Sequence, residues 1–152
     1  MTKVLLAGET DVELLRDIAL KAFRDDSILY GKMPPDIDSV KWHIMHIKSG
    51  MYYKIIYERK TVGGIKLFDF GNGHFRLGTI YIDPDYHNKK IGTEAISLIE
   101  KQFSHVKKWS LDTPYKSYRN HHFYEKLGYV KIGEECPEHD KEFYLFKYEK
   151  CL

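Results

Sequence analysis

The composition of this 152-residue chain is that of one compact globular domain. Hydrophobic residues make up 43% and charged residues 30%, proportions that exclude a disordered or a fibrous chain. The formal net charge of +2 is too small for a protein that grips a nucleic-acid backbone over many phosphates. We therefore expect no nucleic-acid partner, and we expect any bound anion to be small and local.

Three features of the sequence bear on the cellular compartment: its apolar runs, its N-terminal segment and its cysteines. No apolar run is long enough to span a membrane, and the opening segment Met1–Gly8 is too short for a secretory signal. Cys136 and Cys151 are too few and too badly placed for a disulfide framework. These features predict a cytoplasmic protein with reduced thiols and no membrane partner.

The apolar periodicity predicts the element order β-α-α-β-β-β-α-β-α-β-β. The first helix is expected to begin after a cap at Thr10 or Asp11, and Gly71–Gly73 reads as a hairpin turn. The predicted strands are Val4–Leu6, Met51–Tyr57, Val62–Phe70, His74–Ile82, Trp109–Thr113, Tyr129–Gly133 and Phe143–Tyr148. The predicted helices are Val12–Arg24, Ser39–Lys48, Ile91–His105 and Ser117–Leu127.

This order predicts an α/β (α+β) fold, in which one domain over residues 1–152 has helices on both faces of a mixed sheet. The sheet is expected to be mostly antiparallel and to hold six to seven strands. The pair Gly63-Gly64 inside the third strand is better explained by a bulge or a close backbone contact than by a phosphate loop.

A basic loop follows the fourth strand and leads into a helix. It carries Lys89 and Lys90, and Gly92 lies at the helix start. The first N–H groups of a helix have no intrahelical acceptor and lie at the positive end of its dipole, so such a turn binds anions. The loop therefore predicts a phosphate site, most simply one for a pyrophosphate.

The loop and a second motif together resemble the GNAT superfamily of acyl-CoA-dependent N-acetyltransferases. The family loop reads Gln/Arg-x-x-Gly-x-Gly/Ala, and here it stands as His87-Asn88-Lys89-Lys90-Ile91-Gly92. His87 replaces Gln or Arg but can still donate a hydrogen bond. Lys90 replaces the middle Gly; it keeps the amide contact if its backbone is right-handed, and its ammonium can reach phosphate.

The second motif is Phe123-Tyr124-Glu125-Lys126-Leu127-Gly128-Tyr129, which matches the family ending Tyr-x-x-x-Gly-Phe of the helix after the fifth strand. Gly128 is expected to be the left-handed residue that ends the helix. The family often has an Asn seven residues before that Tyr; Ser117 occupies the place here, and Asn120 follows one turn later.

The resemblance implies acetyl-CoA as co-substrate, no metal, and a splay between the fourth and fifth strands that admits pantetheine. It implies Tyr124 as the general acid that protonates the leaving thiolate, a role that suits a phenol of pKa ~10. A half-buried structural tyrosine is the alternative. The implied cofactor contacts are Ile80, Tyr81, Ile82, His87, Asn88, Lys89, Lys90, Ile91, Gly92, Thr93, Ser117 and Asn120.

The general base stays open. The fourth strand carries no acidic residue, which leaves Asp112, Glu58, Asp69 or an ordered water. Asp112 is favoured because it lies beside the expected cleft, although it serves equally well as a cap for the turn at Thr113-Pro114.

The eight histidines do not predict a metal centre. His43 and His46 share a helix face and His121 and His122 are adjacent, but no cluster has zinc-ligand spacing. Solvated or hydrogen-bonded histidines account for them.

The acceptor is the least defined element. The segment Asp25–Lys48 is expected to form one wall of its cleft, as in the resembling family, and its acids either attract a cationic amine or act as caps and solvated turns. We predict N-acetylation of a primary amine of a small molecule or peptide, by direct attack in a ternary complex. The alternative is a non-catalytic CoA- or nucleotide-binding sensor with a degenerate fold. A homodimer is compatible with the resemblance.

Overall fold

The computed structural model describes residues 1–30, 36–136 and 144–152, with the backbone alone for residues 25–30. The strands are β1 Thr2–Leu6, β2 Tyr52–Tyr57, β3 Lys60–Asp69, β4 His74–Ile82, β5 Lys108–Pro114, β6 Val130–Glu135 and β7 Leu145–Cys151. The helices are α1 Val12–Tyr30, α2 Val40–Lys48, α3 Ile91–Gln102 and α4 Tyr118–Lys126. Two 3-10 helices, Glu9–Asp11 and Pro84–Tyr86, precede α1 and α3.

The predicted element order is confirmed, and so is the mixed, mostly antiparallel sheet. Within the described residues the sheet has seven strands, in the hydrogen-bonded order β1-β2-β3-β4-β5-β7-β6. The only parallel ladder among the described residues joins β4 to β5 over three pairs, from His74↔Lys108 to Arg76↔Ser110. A ladder this short agrees with the predicted splay of these two strands.

Several predicted boundaries move. Helix α1 continues six residues beyond Arg24 to Tyr30, because Asp25 and Asp26 are weak helix formers but not breakers. Its predicted cap is replaced by the 3-10 helix Glu9–Asp11, in which the Asp11 carboxylate accepts a hydrogen bond from the Gly8 N–H at 2.8 Å. Gly31, Pro34, Pro35, Pro137 and Phe143 lie outside the described residues.

The chain divides into two compact units. Unit 1 comprises Met1–Leu67 and Thr79–Phe103, and unit 2 comprises Phe68–Gly78 and Ser104–Leu152. In unit 1, β1 pairs antiparallel with β2, and β2 with β3, with a register shift between Ile55 and Ile56. One buried cluster of unit 1 consists of Ala7, Leu15, Ile18, Ala19, Ile37, Ile47, Tyr52 and Tyr81.

Unit 2 contains the β5-β7-β6 part of the sheet and helix α4. Strand β7 pairs antiparallel with β5 from Lys108↔Cys151 to Pro114↔Leu145, and β6 lies on its other side. Its buried apolar residues include Phe75, Trp109, Leu111, Tyr124 and Tyr148. The predicted hairpin between β3 and β4 is confirmed: Gly71, Asn72 and Gly73 all have positive φ, and the His74 N–H donates to the Gly71 carbonyl at 3.0 Å.

Candidate active site

The segment between β4 and α3 is fixed at its start by ionic and turn contacts within unit 1. Asp83 caps the 3-10 helix Pro84–Tyr86 by accepting a hydrogen bond from the Asp85 N–H at 2.9 Å. Lys21 on α1 forms ion pairs with Asp83 at 3.0 Å and with Asp85 at 2.7 Å. Hydrogen bonds to Asp85 and Asp83 raise the pKa of Lys21, so it stays charged at neutral pH. These contacts anchor the entrance of the loop to α1.

His87 ties the loop back to the strand that precedes it. Its Nε2 lies 3.2 Å from the carbonyl oxygen of Ile82. A carbonyl only accepts, so Nε2 carries the proton and donates. The imidazole therefore acts as a hydrogen-bond donor at the motif position where the family has Gln or Arg.

Two residues of the loop, Asn88 and Lys90, have left-handed backbones. The expectation of a right-handed backbone at Lys90 is therefore wrong. Asn88 has φ +64°, and Lys90 has φ +62° and ψ +19°. Lys90 is therefore not right-handed, and glycine is favoured at this position because a Cβ costs ~1–2 kcal/mol in that region. Consecutive amides in such alternating conformations form concave anion sites.

Helix α3 begins immediately after this turn without a side-chain cap. Lys90 is its N-cap residue and makes no side-chain hydrogen bond there. The first helical bond runs from the Glu94 N–H to the Lys90 carbonyl at 3.0 Å. The N–H groups of Ile91, Gly92 and Thr93 thus have no intrahelical acceptor, and two exposed ammonium groups, those of Lys89 and Lys90, flank the turn. Backbone donors and positive charge together suit an anion.

The three strand residues with implied cofactor contacts end β4. Tyr81 is buried, whereas Ile80 and Ile82 are half-buried. The Ile82 carbonyl already accepts from His87, and the Asp83 N–H donates to the Val62 carbonyl at 2.7 Å. The exit of β4 is therefore held on both sides before the loop begins.

Ser117 and Asn120, the implied contacts on the other helix, lie in unit 2. Ser117 is the N-cap residue of α4, yet its side chain makes no cap hydrogen bond. Its hydroxyl is buried without a hydrogen-bond partner in the part of the chain that is described, an arrangement that costs free energy unless something else pairs with it. The Asn120 amide donates a long 3.4 Å hydrogen bond to the Thr113 hydroxyl.

Tyr124 lies in an aromatic cluster of unit 2. It is 7% exposed, and its ring centroid lies 5.1 Å from that of Phe123, 5.8 Å from that of Tyr129 and 6.4 Å from that of Tyr148. Burial raises the pKa of Tyr124 well above its ordinary value. The phenol is therefore protonated at neutral pH, as a proton donor must be.

Each candidate for the general base has another partner. The Asp112 carboxylate, 15% exposed, pairs with the Arg76 guanidinium at 3.0 Å. Glu58 pairs with the N-terminal ammonium of Met1 at 2.7 Å, and Asp69 accepts from the Gly71 N–H at 2.8 Å. The geometry favours none of the three as a base.

Four of the described histidines, His43, His74, His87 and His121, form side-chain hydrogen bonds. His43 is buried between Tyr52 and the Ile37 carbonyl, and His121 Nε2 donates to the Pro114 carbonyl at 3.0 Å. Residues 1–30, 36–136 and 144–152 contain no group of three or more His, Cys, Asp or Glu side chains that could hold a metal ion. None of the helices within these ranges combines the length and the apolar composition that a membrane span requires.

The sequence did not predict two buried polar features, a lysine on β3 and a hydrogen-bonded group of three side chains. Lys66 on β3 is 3% exposed, and its ammonium donates to the Ser49 hydroxyl at 2.9 Å; burial lowers its pKa to about 8. Its position between Ile65 and Leu67 in an apolar strand was the available signal. The second feature joins His43, Tyr52 and Tyr81, which are distant in sequence and carry no local signature.

Comparison with known proteins identifies the class. The model of the acetyltransferase (GNAT) family matches residues 13–129. The chain belongs to this family of acetyltransferases.

Individual relatives are distant. An uncharacterised protein of Bacillus subtilis (strain 168), YrkN, is 30% identical over 115 residues, which cover 75% of this chain and 57% of that protein. The chain thus spans little more than half the length of this relative. The PaiA N-acetyltransferase of Thermoplasma acidophilum, solved with coenzyme A, has a TM-score of 0.81 at 18% identity over 100% of this chain and 99% of that one.

Two other solved structures share the fold. The ribosomal-protein-S18-alanine N-acetyltransferase of Escherichia coli has a TM-score of 0.78 at 16% identity, with 99% of this chain and 94% of that one covered. A putative streptothricin acetyltransferase of Bacillus anthracis, solved with acetyl-CoA, has a TM-score of 0.60 at 18% identity, over 66% of this chain and 61% of that one. At these identities the likeness establishes the fold alone.

Proposed function

We propose that this protein transfers an acetyl group from acetyl-CoA to a primary amine of a small molecule or peptide. The observation that carries the proposal is the uncapped first turn of α3, where the amides of Ile91–Thr93 follow the left-handed Lys90. That turn is the diphosphate site, with His87 and Asn88 shaping it and the ammonium groups of Lys89 and Lys90 adding charge. The backbone of Ile80–Ile82 holds the pantetheine arm by strand-like hydrogen bonds.

The transfer proceeds by direct attack in a ternary complex. The neutral amine nitrogen attacks the thioester carbon, the C–S bond breaks, and the sulfur takes a proton from the Tyr124 hydroxyl. The amine proton leaves to water, since each acidic candidate for the base is paired elsewhere, and the Tyr124 phenolate then regains a proton from solvent. The place of Tyr124 in the matched motif supports its acid role; its phenol is protonated at neutral pH, and burial makes it a weaker acid than a free phenol.

Ser117 and Asn120 are proposed to contact the cofactor from the start of α4. The buried Ser117 hydroxyl supports this role because it has no hydrogen-bond partner among the described residues. Solved structures of this fold include one named for alanine of ribosomal protein S18 and one named for streptothricin. Because these acceptors differ so much, we propose only that the acceptor is a primary amine. A cytoplasmic location and a homodimer stay predictions.

A sensor without catalysis is the second candidate. It is favoured by Lys90, whose left-handed backbone occupies the place of the family glycine. Two measurements separate the enzyme from the sensor. Calorimetry measures the binding of acetyl-CoA, and an assay of free thiol measures turnover with each of a panel of primary amines. Turnover with at least one amine supports the enzyme; tight binding without thiol release from any amine supports the sensor; absence of binding contradicts both.

A further inference from the structure

Three buried side chains connect helix α2 with the end of strand β4 inside unit 1. His43 Nδ1 lies 2.9 Å from the Tyr52 hydroxyl, which is hydrogen-bonded in turn to the Tyr81 hydroxyl. On its other side, His43 Nε2 lies 2.7 Å from the carbonyl oxygen of Ile37. His43 and Tyr52 are 0% exposed and Tyr81 is 4% exposed. The network is therefore shielded from competing water.

The direction of each hydrogen bond follows from its ends. The Ile37 carbonyl only accepts, so His43 Nε2 carries a proton and donates. Burial lowers the pKa of His43, which keeps the imidazole neutral and leaves Nδ1 as an acceptor. Tyr52 then donates to Nδ1, and Tyr81 donates to the Tyr52 oxygen. The network has one arrangement of protons, and all three side chains are held by it.

The third strand is shaped to admit Tyr81. A Cβ at Gly63 would collide with the backbone carbonyl oxygen of Tyr81, and a Cβ at Gly64 would collide with its hydroxyl. The glycine pair thus leaves room for both the main chain and the ring of one residue, which confirms the close backbone contact expected from the sequence. The two glycines of β3 leave the space that Tyr81 occupies, and the hydrogen bonds through Tyr52 to His43 on α2 hold its ring there.

We propose that His43 is a positioning residue for acetyl transfer: through Tyr52 and Tyr81, it fixes the backbone of Ile80–Ile82 in the conformation that receives the donor. The inference rests on the proposed function, which assigns the pantetheine arm to this backbone. Tyr81 is the middle residue of the segment, so a displacement of its side chain that moves its Cα would also move the neighbouring amides. Fixing them before the donor arrives reduces the entropy lost on binding.

A purely structural network is the competing explanation, since buried polar networks also stabilise cores. The two explanations differ in which residues show faster amide exchange when the network is broken. A structural role predicts faster amide exchange throughout unit 1, whereas a positioning role predicts faster exchange confined to β4 and weaker donor binding with little change in kcat.

Tyr81→Phe tests the β4 end of the network because it removes the hydroxyl and keeps the ring. The expected result is faster hydrogen exchange at residues 80–82, a roughly fivefold rise in the Kd for acetyl-CoA and a kcat within about twofold of wild type. Tyr53→Phe is the matched control: Tyr53 lies on the same strand as Tyr52, is also buried, and hydrogen-bonds Gln102 instead. It should leave the exchange at residues 80–82, the Kd for acetyl-CoA and kcat unchanged.

His43 is tested by two replacements. In His43→Asn, the amide oxygen takes the position of Nδ1 and can accept from Tyr52, so the exchange at residues 80–82 and the Kd for acetyl-CoA should lie closer to wild type than in His43→Leu. Equal effects of both variants on β4, a rise in exchange spread evenly over unit 1, or an effect of Tyr53→Phe equal to that of Tyr81→Phe would overturn the proposal. If wild type binds no acetyl-CoA, the proposed function fails, and with it the positioning role, while β4-confined exchange would still identify the network as the anchor of the strand.

Discussion

The Tyr129 N–H donates a hydrogen bond to the Tyr124 carbonyl at 3.0 Å, and the two rings pack with their centroids 5.8 Å apart. Between them Gly128 has φ +96°, and its N–H donates to the Glu125 carbonyl at 3.1 Å. This pair of bonds and the accompanying ring contact form a Schellman motif. The Tyr-x-x-x-Gly-Tyr sequence therefore ends α4 and, by the same contacts, orients the proposed acid.

Replacement of Gly128 should destabilise the fold. In Gly128→Ala the new Cβ would be in a left-handed residue and 3.3 Å from Lys150 Cε, so we expect a loss of about 1–2 kcal/mol in the free energy of unfolding. Urea denaturation measures it. Gly133→Ala is the control, because no atom lies within 4 Å of its Cβ position; equal losses for the two variants would contradict the motif.

Removal of the Tyr124 hydroxyl should slow the chemistry and spare binding. In Tyr124→Phe we expect kcat to fall by roughly 100-fold, the contribution typical of one general acid, with the Kd for acetyl-CoA within about twofold. Steady-state kinetics and calorimetry together measure both. Tyr118→Phe on the same helix, 67% exposed, should leave kcat unchanged. A loss of affinity with unchanged kcat would rule out the acid role.

Lys66 should make stability depend on pH. Burial lowers its pKa from 10.5 to about 8 in the folded protein, so protonation favours the unfolded state. Below pH 8 both states are charged and the burial penalty is complete. Between pH 8 and 10.5 the folded state loses its proton first, and stability rises. Lys66→Met should therefore be more stable than wild type by about 1–3 kcal/mol at pH 7, and this advantage should shrink by pH 10. A constant difference between the two proteins over that range would refute the buried charge.

Lys90 combines strain with charge, and two variants separate them. Lys90→Gly removes both, whereas Lys90→Ala removes the charge and keeps a Cβ in the left-handed region. We expect Lys90→Gly to be about 1 kcal/mol more stable than Lys90→Ala. Both should bind acetyl-CoA a few-fold more weakly than wild type at low salt, with the deficit fading at high salt. Wild-type affinity in both variants would show that the ammonium contributes nothing.

Much of the fold could be predicted from local signals. Strand alternation, the turn at Gly71–Gly73 and the helix periods predict the seven strands and four helices of the described residues. The left-handed conformation of Gly128 is predicted by its place at the end of a helix pattern. The position of the phosphate-type loop follows from the same signals, since a strand end and a helix start are both readable.

Other features depend on tertiary contacts that no short segment reveals. Lysine is a poor left-handed residue, so Lys90 adopts that conformation because the turn into α3 requires it. The burial of Lys66 depends on the end of α2, which supplies the Ser49 hydroxyl. His43, Tyr52 and Tyr81 are brought together only by the packing of α2 on the sheet.

The most direct test of the account is an NMR titration of the ¹⁵N-labelled protein with CoA and, separately, with pantetheine, which lacks the diphosphate. If the first turn of α3 holds the diphosphate, CoA should shift the backbone amide resonances of residues 88–93, and pantetheine should leave them in place. Saturable binding of CoA that shifts amides elsewhere and none in residues 88–93 would contradict the central claim.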